Sequence, residues 1–226
     1  MNYEIILIFA KQNYKYLFMN KIVLISFSIL LITFFGRYNA ATAQEFKAGI
    51  QAGMTATQVT GDALAGFNKA GLFAGLTVRR KMGSFGYGQM EINFIQKGSR
   101  KNAKPDKGIY DSYLLRLNYV EVPVSYRYMF YKKMGVDMGL KFAYLINARE
   151  FDENGEIPDE VEKPGFNKFD ISVFAGLVYK VNKNFNFVIR YAYSIKSFRP
   201  KPVSSYTHYS DGQFNETICT AFQYNF

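Results

Sequence analysis

The sequence predicts an all-β chain: an eight-stranded, antiparallel, up-and-down transmembrane β-barrel preceded by a cleavable signal peptide. Three observations predict it. Apolar residues alternate with small or polar ones along eight separate stretches, the period of a strand with two unlike faces. The connections between the stretches are alternately short and long, as in a barrel with tight turns at one membrane surface and loops at the other. Residues 1–43 carry the order of an export signal, basic then apolar then small.

In the signal, Lys21 precedes the apolar run 22–35, and Ala41-Thr42-Ala43 offers a peptidase site, with cleavage expected after Ala43. The run is short of the roughly 20 residues that a spanning helix needs. The organisation read is therefore 1–43 signal peptide and 44–226 barrel, with Met19 a better start than Met1. No Cys follows the apolar run, so a lipoprotein anchor is not expected.

The 226 residues suit one domain, and 49% hydrophobic with 22 Phe and 18 Tyr excludes a disordered chain. One Cys and one His leave no internal disulfide for Cys219 and no Cys/His zinc site. No cofactor, no metal and no enzyme activity are expected. The formal net charge is +10. Because the chain is exported, nucleic acid is not an expected partner, and phosphate-bearing surface lipids are.

The first stretch sets Phe46, Ala48, Ile50, Ala52, Met54 and Ala56 against Lys47, Gly49, Gln51, Gly53, Thr55 and Thr57. The second sets Leu72, Ala74, Leu76 and Val78 against Gly71, Gly75, Thr77 and Arg79, and the third Met90, Ile92 and Phe94 against Gln89, Glu91 and Asn93. In the fourth, Val120, Val122, Val124, Tyr126, Tyr128 and Phe130 oppose Glu121, Pro123, Ser125 and Arg127. The fifth runs from Val136 to Asn147 with Asp137, Gly139, Lys141 and Ala143 on the second face; the sixth runs from Phe169 to Lys180. Phe185 to Lys196, with Arg190 on its second face, and Thr217 to Phe226 complete the set. Segments 81–85, 132–134 and 181–184 are the short connections; 58–68, 99–112, 150–167 and 199–213 are the long ones.

Alternation alone does not say which face is inside, and a soluble ligand-binding barrel is the rival. An eight-stranded barrel is only wide enough for packed side chains, and the apolar set holds too many Phe and Tyr to fit. The apolar face is therefore expected to meet lipid, around a narrow polar lumen. Tyr126, Tyr128 and Phe130 at one end, and Phe142 and Tyr144 towards the other, fit interfacial aromatic girdles. Phe222, Tyr224 and Phe226 resemble the terminal-strand signal read by the barrel-assembly machinery. Pro123 lacks a ladder donor, so a bulge is expected there, absorbing a phase change between Leu115/Leu117 and Val120/Val122.

Charges on the inner face must pair or be hydrated. Arg79, Glu91, Glu121, Arg127, Lys141 and Arg190 are expected to form a lumen charge network; its functional alternative is a gated path for protons or small ions. Arg100, Lys101, Lys104 and Lys107 form a basic loop suited to lipopolysaccharide phosphates, and seven carboxylates from Glu150 to Glu162 form an acidic one. His208 with Ser204, Ser205, Ser210 and Asp211 could make a hydrolytic or lipid-modifying site, but loops are rich in Ser and Asp for turn reasons and no Gly-x-Ser-x-Gly element is present. Asp152-Glu153-Asn154-Gly155 has its Gly too early for a calcium loop. Gly83-x-x-Gly86-x-Gly88 is a turn.

Leu117-Asn118-Tyr119-Val120-Glu121-Val122-Pro123, continuing to Tyr128, is similar to a run carried by the PorT-like family of bacterial outer-membrane β-barrels. Ile95-Gln96-Lys97-Gly98, the stretch from Phe169 to Tyr179, and Arg190-Tyr191 resemble that family too. The resemblance implies the outer membrane of a Gram-negative bacterium and an eight-stranded barrel. It also brings in envelope or secretion proteins as partners, because the founding member resembles a component needed to export surface proteins. The expected function is a non-enzymatic structural or interaction role in the envelope, exercised through the outer loops. The alternatives are a lipid-modifying or hydrolytic barrel enzyme and a small-solute or ion channel. A general diffusion porin is not expected, because aqueous channels come with roughly 16 strands or more.

Overall fold

The structure is a computed structural model that describes residues 46–62, 64, 66–108, 110–157, 165–200 and 212–226. The signal segment, His208 with its loop neighbours, and Asp159, Glu160 and Glu162 lie outside the described residues. Ten strands follow in order: β1 Phe46–Thr60, β2 Lys69–Met82, β3 Gly86–Lys97, β4 Arg100–Lys101, β5 Tyr113–Met129, β6 Met134–Asp152, β7 Gly155–Glu156, β8 Phe169–Lys180, β9 Phe185–Ser194 and β10 Phe214–Asn225. The eight long strands pair antiparallel around a closed ring, and β1 meets β10 from Gly49↔Asn225 to Thr60↔Phe214. Closure matters because an open edge in lipid would leave backbone donors without partners. The two-residue strands β4 and β7 lie against the outer ends of β5 and β6.

The outward face is apolar across neighbouring strands. Ile50 stands opposite Leu76, and Leu76 opposite Ile92, in one continuous row. Aromatic pairs cluster at the short-turn end, where Phe185 packs on Tyr224 with ring centroids 4.9 Å apart and Tyr224 on Phe226 at 5.5 Å. Tyr126, Tyr128 and Phe130 stand exposed at the same end, while Phe142 and Tyr144 stand exposed further out. Glycines on the inward face leave room for the side chains opposite. A Cβ at Gly75 would collide with the Asn93 amide and the Ile92 carbonyl.

Three expectations are corrected here. No bulge occurs at Pro123, which faces inward in phase with Leu115, Leu117, Tyr119 and Glu121. The missing N–H instead leaves a gap in the β3–β5 ladder, whose register passes from Met90↔Val124 to Asn93↔Glu121 with no residue inserted. The bulge lies on β6, where Asn118↔Asn147 is followed by Tyr119↔Leu145 and Ile146 is the extra residue. The phase change is therefore on the partner strand: Ile146 and Asn147 are both exposed.

The lumen is also not polar throughout. Val59, Phe73, Ile95, Leu115, Leu117, Tyr119 and Leu145 bury their side chains inside the outer half, together with Phe198 from the last long connection. Alternation reports which face is more apolar, not that the other face is polar, and an interior too narrow for bulk water packs as a core does. Finally, β5 and β6 have 17 and 19 residues, well beyond the roughly 9–11 needed to cross a bilayer. The outer end of β6, from Glu150 to Asp152, and the short strands β4 and β7 occupy sequence expected to be loop.

Candidate functional site: the lumen and its two mouths

Below the apolar plug, two ion-pair assemblies fill the barrel, each with two cations and two carboxylates. The one nearer the short turns is centred on Arg190 of β9. Its Nη1 and Nη2 donate to the two Glu91 oxygens at 2.8 and 2.6 Å, and its Nε and Nη2 donate to Asp137 at 3.2 and 2.6 Å. Arg127 Nη2 donates to the same Asp137 oxygen at 2.9 Å. Gln51 and Asn93 donate to Glu91 at 2.7 and 2.9 Å, and Gln223 donates to Gln51 at 2.6 Å. Bidentate pairing with added neutral donors is the arrangement that lets a desolvated carboxylate remain charged.

The second assembly lies further out. Lys141 Nζ stands 3.1 Å from Glu121, and Lys97 Nζ lies 3.6 Å from Glu121 and 3.2 Å from Asp170. Asn215 donates to Asp170 at 3.1 Å. The Phe174 ring separates the assemblies and touches both, 5.2 Å from Lys141 Nζ and 5.0 Å from the Arg190 guanidinium carbon, so each cation also gains a π-face. At the outer rim, Arg199 Nη1 and Nη2 donate to Glu150 at 2.9 and 2.7 Å, and the guanidinium lies 4.0 Å over Phe166. Tyr113 donates to the same carboxylate.

Of the expected lumen charges, Glu91, Glu121, Arg127, Lys141 and Arg190 are all brought into these assemblies. Arg79 is not. It forms no ion pair among the described residues; it lies 5.5 Å over the Tyr87 ring, at the short-turn mouth. Sequence reasoning left out Lys97, Asp137 and Asp170, each on an inward position of its strand; Asp137 and Asp170 were in the alternating sets. Glu150, expected in an acidic loop, instead pairs at the rim with Arg199 of the last long connection.

The basic loop is also rearranged. Lys101 is paired with Asp111. Arg100 lines a cleft of about 340 Å³ with Lys69 and Arg116, and Arg116 stands directly opposite Arg149 across β5 and β6. Lys104 and Lys107 are exposed beside a short turn of 3-10 helix, Pro105–Lys107. Phe222 and Phe226 are exposed on the outward face, and Tyr224 is half-buried between aromatic neighbours.

Glu121→Ala is expected to lower stability by about 1–3 kcal/mol, the cost of leaving a buried donor without its partner. Lys141 loses its carboxylate, whereas Lys97 keeps Asp170. The midpoint of guanidinium unfolding, followed by far-UV circular dichroism, measures it; an unmoved midpoint contradicts the pairing.

Residues 39–199, more than half of the chain, match the family described as outer membrane protein beta-barrel domain. Among solved structures, Ail of Yersinia pestis in complex with the heparin analogue sucrose octasulfate is 13% identical, covering 80% of this chain and 99% of its own, with a TM-score of 0.43. Neisserial surface protein A is 10% identical over 79% of this chain and 97% of its own, at 0.49. OprG of Pseudomonas aeruginosa is 10% identical over 81% and 97%, at 0.38. No curated protein matches the chain.

Proposed function

This chain belongs to the outer-membrane β-barrel domain family, and we propose that it is a non-enzymatic, non-conducting envelope protein that works through its outer surface and loops. It resides in the outer membrane of a Gram-negative bacterium, so outer-membrane lipids surround it. One observation carries the proposal: the interior is occupied by an apolar plug and two charge-balanced assemblies, which leaves the exterior as the surface that meets partners. Purified protein in planar bilayers is expected to give no unitary conductance, and regular open-channel steps would overturn that part. With His208 in the role of an ordinary loop residue, His208→Ala is compatible with full function.

The partner the surface fits is the phosphate of lipopolysaccharide. Like charges directly opposite each other on a sheet are destabilising, yet Arg116 faces Arg149 on the outward side of the β5–β6 extension, and Arg100 lines a cleft with Arg116. A bridging phosphate turns that repulsion into charge-assisted hydrogen bonds. Glu156, 3.7 Å from Arg149 Nε, offsets only part of the charge. The double variant Arg116→Gln/Arg149→Gln is expected to retain several-fold less purified lipopolysaccharide than the native chain, while keeping the heat-shifted gel band of a folded barrel, which migrates faster unheated than boiled. Equal retention, or equal binding of dephosphorylated lipopolysaccharide by the native chain, counts against it.

The terminal aromatics Phe222, Tyr224 and Phe226 serve the barrel-assembly machinery in this reading. The run from Leu117 to Pro123 supports a place among PorT-like barrels, and surface-protein secretion is the second reading that follows. Normal display of surface proteins in a deletion strain would remove it.

A further inference from the structure

We propose that the short-turn mouth of the barrel, on the periplasmic side, is a binding pocket for a small amphipathic oxyanion, a phosphate or carboxylate on an apolar stem. A cavity of about 390 Å³ opens there, lined by Arg79, Arg127, Lys132 and Lys180 and, among the described residues, by no carboxylate, with Phe85 and Phe130 among its apolar walls. Arg127 is only 1% exposed. Its Nη2 is committed to Asp137, but its Nε and Nη1 are buried with no hydrogen-bond partner, and the Nε of Arg79 is in the same condition. Buried guanidinium donors are costly to leave unmade, and planar forks of this kind match oxyanions two atoms at a time.

The charge balance points the same way. Asp137 and Glu91 are matched by Arg127 and Arg190 within the inner assembly, so Arg79 and the two lysines make the mouth net positive. Exposed Phe85 and Phe130, at the rim of the same cavity, offer the surface for an apolar stem. The oxyanion could come from a soluble periplasmic compound or from a headgroup of the inner leaflet. This pocket is independent of the outer-surface reading, since it lies at the opposite end of the barrel and involves none of those residues.

The test uses full-length protein extracted in an uncharged detergent, titrated with phenyl phosphate and, separately, inorganic phosphate, followed by ³¹P line broadening. Arg79 forms no ion pair among the described residues and belongs to neither lumen assembly, so Arg79→Gln keeps both, and its folding can be checked by the heat-shifted band. Saturable binding of phenyl phosphate, tighter than that of inorganic phosphate and weakened about tenfold by Arg79→Gln, is the expected result, one charge-assisted contact being lost. Arg80→Gln, on the neighbouring outward position, is expected to bind as the native chain does. No saturable broadening, equal binding by Arg79→Gln, or an equal loss in Arg80→Gln overturns the proposal. In nanodiscs, competition by phosphatidylglycerol assigns the oxyanion to the leaflet, and its absence assigns it to a soluble compound.

Discussion

Arg190→Met is expected to remove about 3–5 kcal/mol of stability, because taking away one partner of a buried ion pair strands the other. The effect is larger than at Glu121 because Arg190 donates hydrogen bonds to both of its carboxylates at 2.6–3.2 Å, whereas Glu121 accepts one from Lys141 at 3.1 Å and only approaches Lys97 at 3.6 Å. Without it, Glu91 keeps only neutral donors from Gln51, Gln89 and Asn93, and Asp137 keeps only Arg127. Methionine is close in length and leaves little void, so lost packing is not the main term. The chain contains no Trp; guanidinium unfolding is therefore followed by far-UV circular dichroism or tyrosine fluorescence. A second substitution separates charge from packing. Arg190→Met/Glu91→Gln removes one of the stranded carboxylates and is expected to recover part of the loss. If the double variant is less stable than Arg190→Met by the full amount of Glu91→Gln alone, the two side chains do not interact and the assembly is not the stabilising element described.

The strands were legible because lipid imposes a strict period of two on the outward face. Ile50, Leu76 and Ile92 obey it without exception. The inward face obeys a weaker rule. Phe73, Phe174 and Val178 break the expected polarity there, since any side chain that fills a narrow barrel is acceptable. Five of the six expected lumen charges came together because an inward charge can only meet other inward groups. Their partners Asp137, Lys97 and Asp170 needed the pairing register between strands, and further out the β5–β6 register also shifts where β6 gains Ile146. Nothing in the local sequence marks that residue as extra. Pro123 marks the wrong strand, because its missing donor leaves a ladder gap on β5 while the bulge sits on β6. The Arg116↔Arg149 pair was hidden for a different reason, because it is a cross-strand relation between stretches expected to border the long loops.

Leu76→Arg is expected to cost about 2–4 kcal/mol in phospholipid vesicles, the penalty of a cation at bilayer mid-depth on a barrel's lipid face. Leu76 sits midway along β2 and is 59% exposed, between Ile50 and Ile92. In a water-soluble barrel the same exposed position would tolerate Arg within about 0.5 kcal/mol. Met82→Arg supplies the depth control. Met82 is the last residue of β2 and is exposed at the short-turn end, where a cation reaches the interface and costs about 0–1 kcal/mol. Lost packing contributes little at Leu76 or Met82, because both side chains already point away from the barrel, so a steep difference between them measures the surrounding solvent. Equal, small effects would mean that the apolar band does not face hydrocarbon. A large effect at Leu76 alone would make the lipid-facing assignment a measured property of this chain.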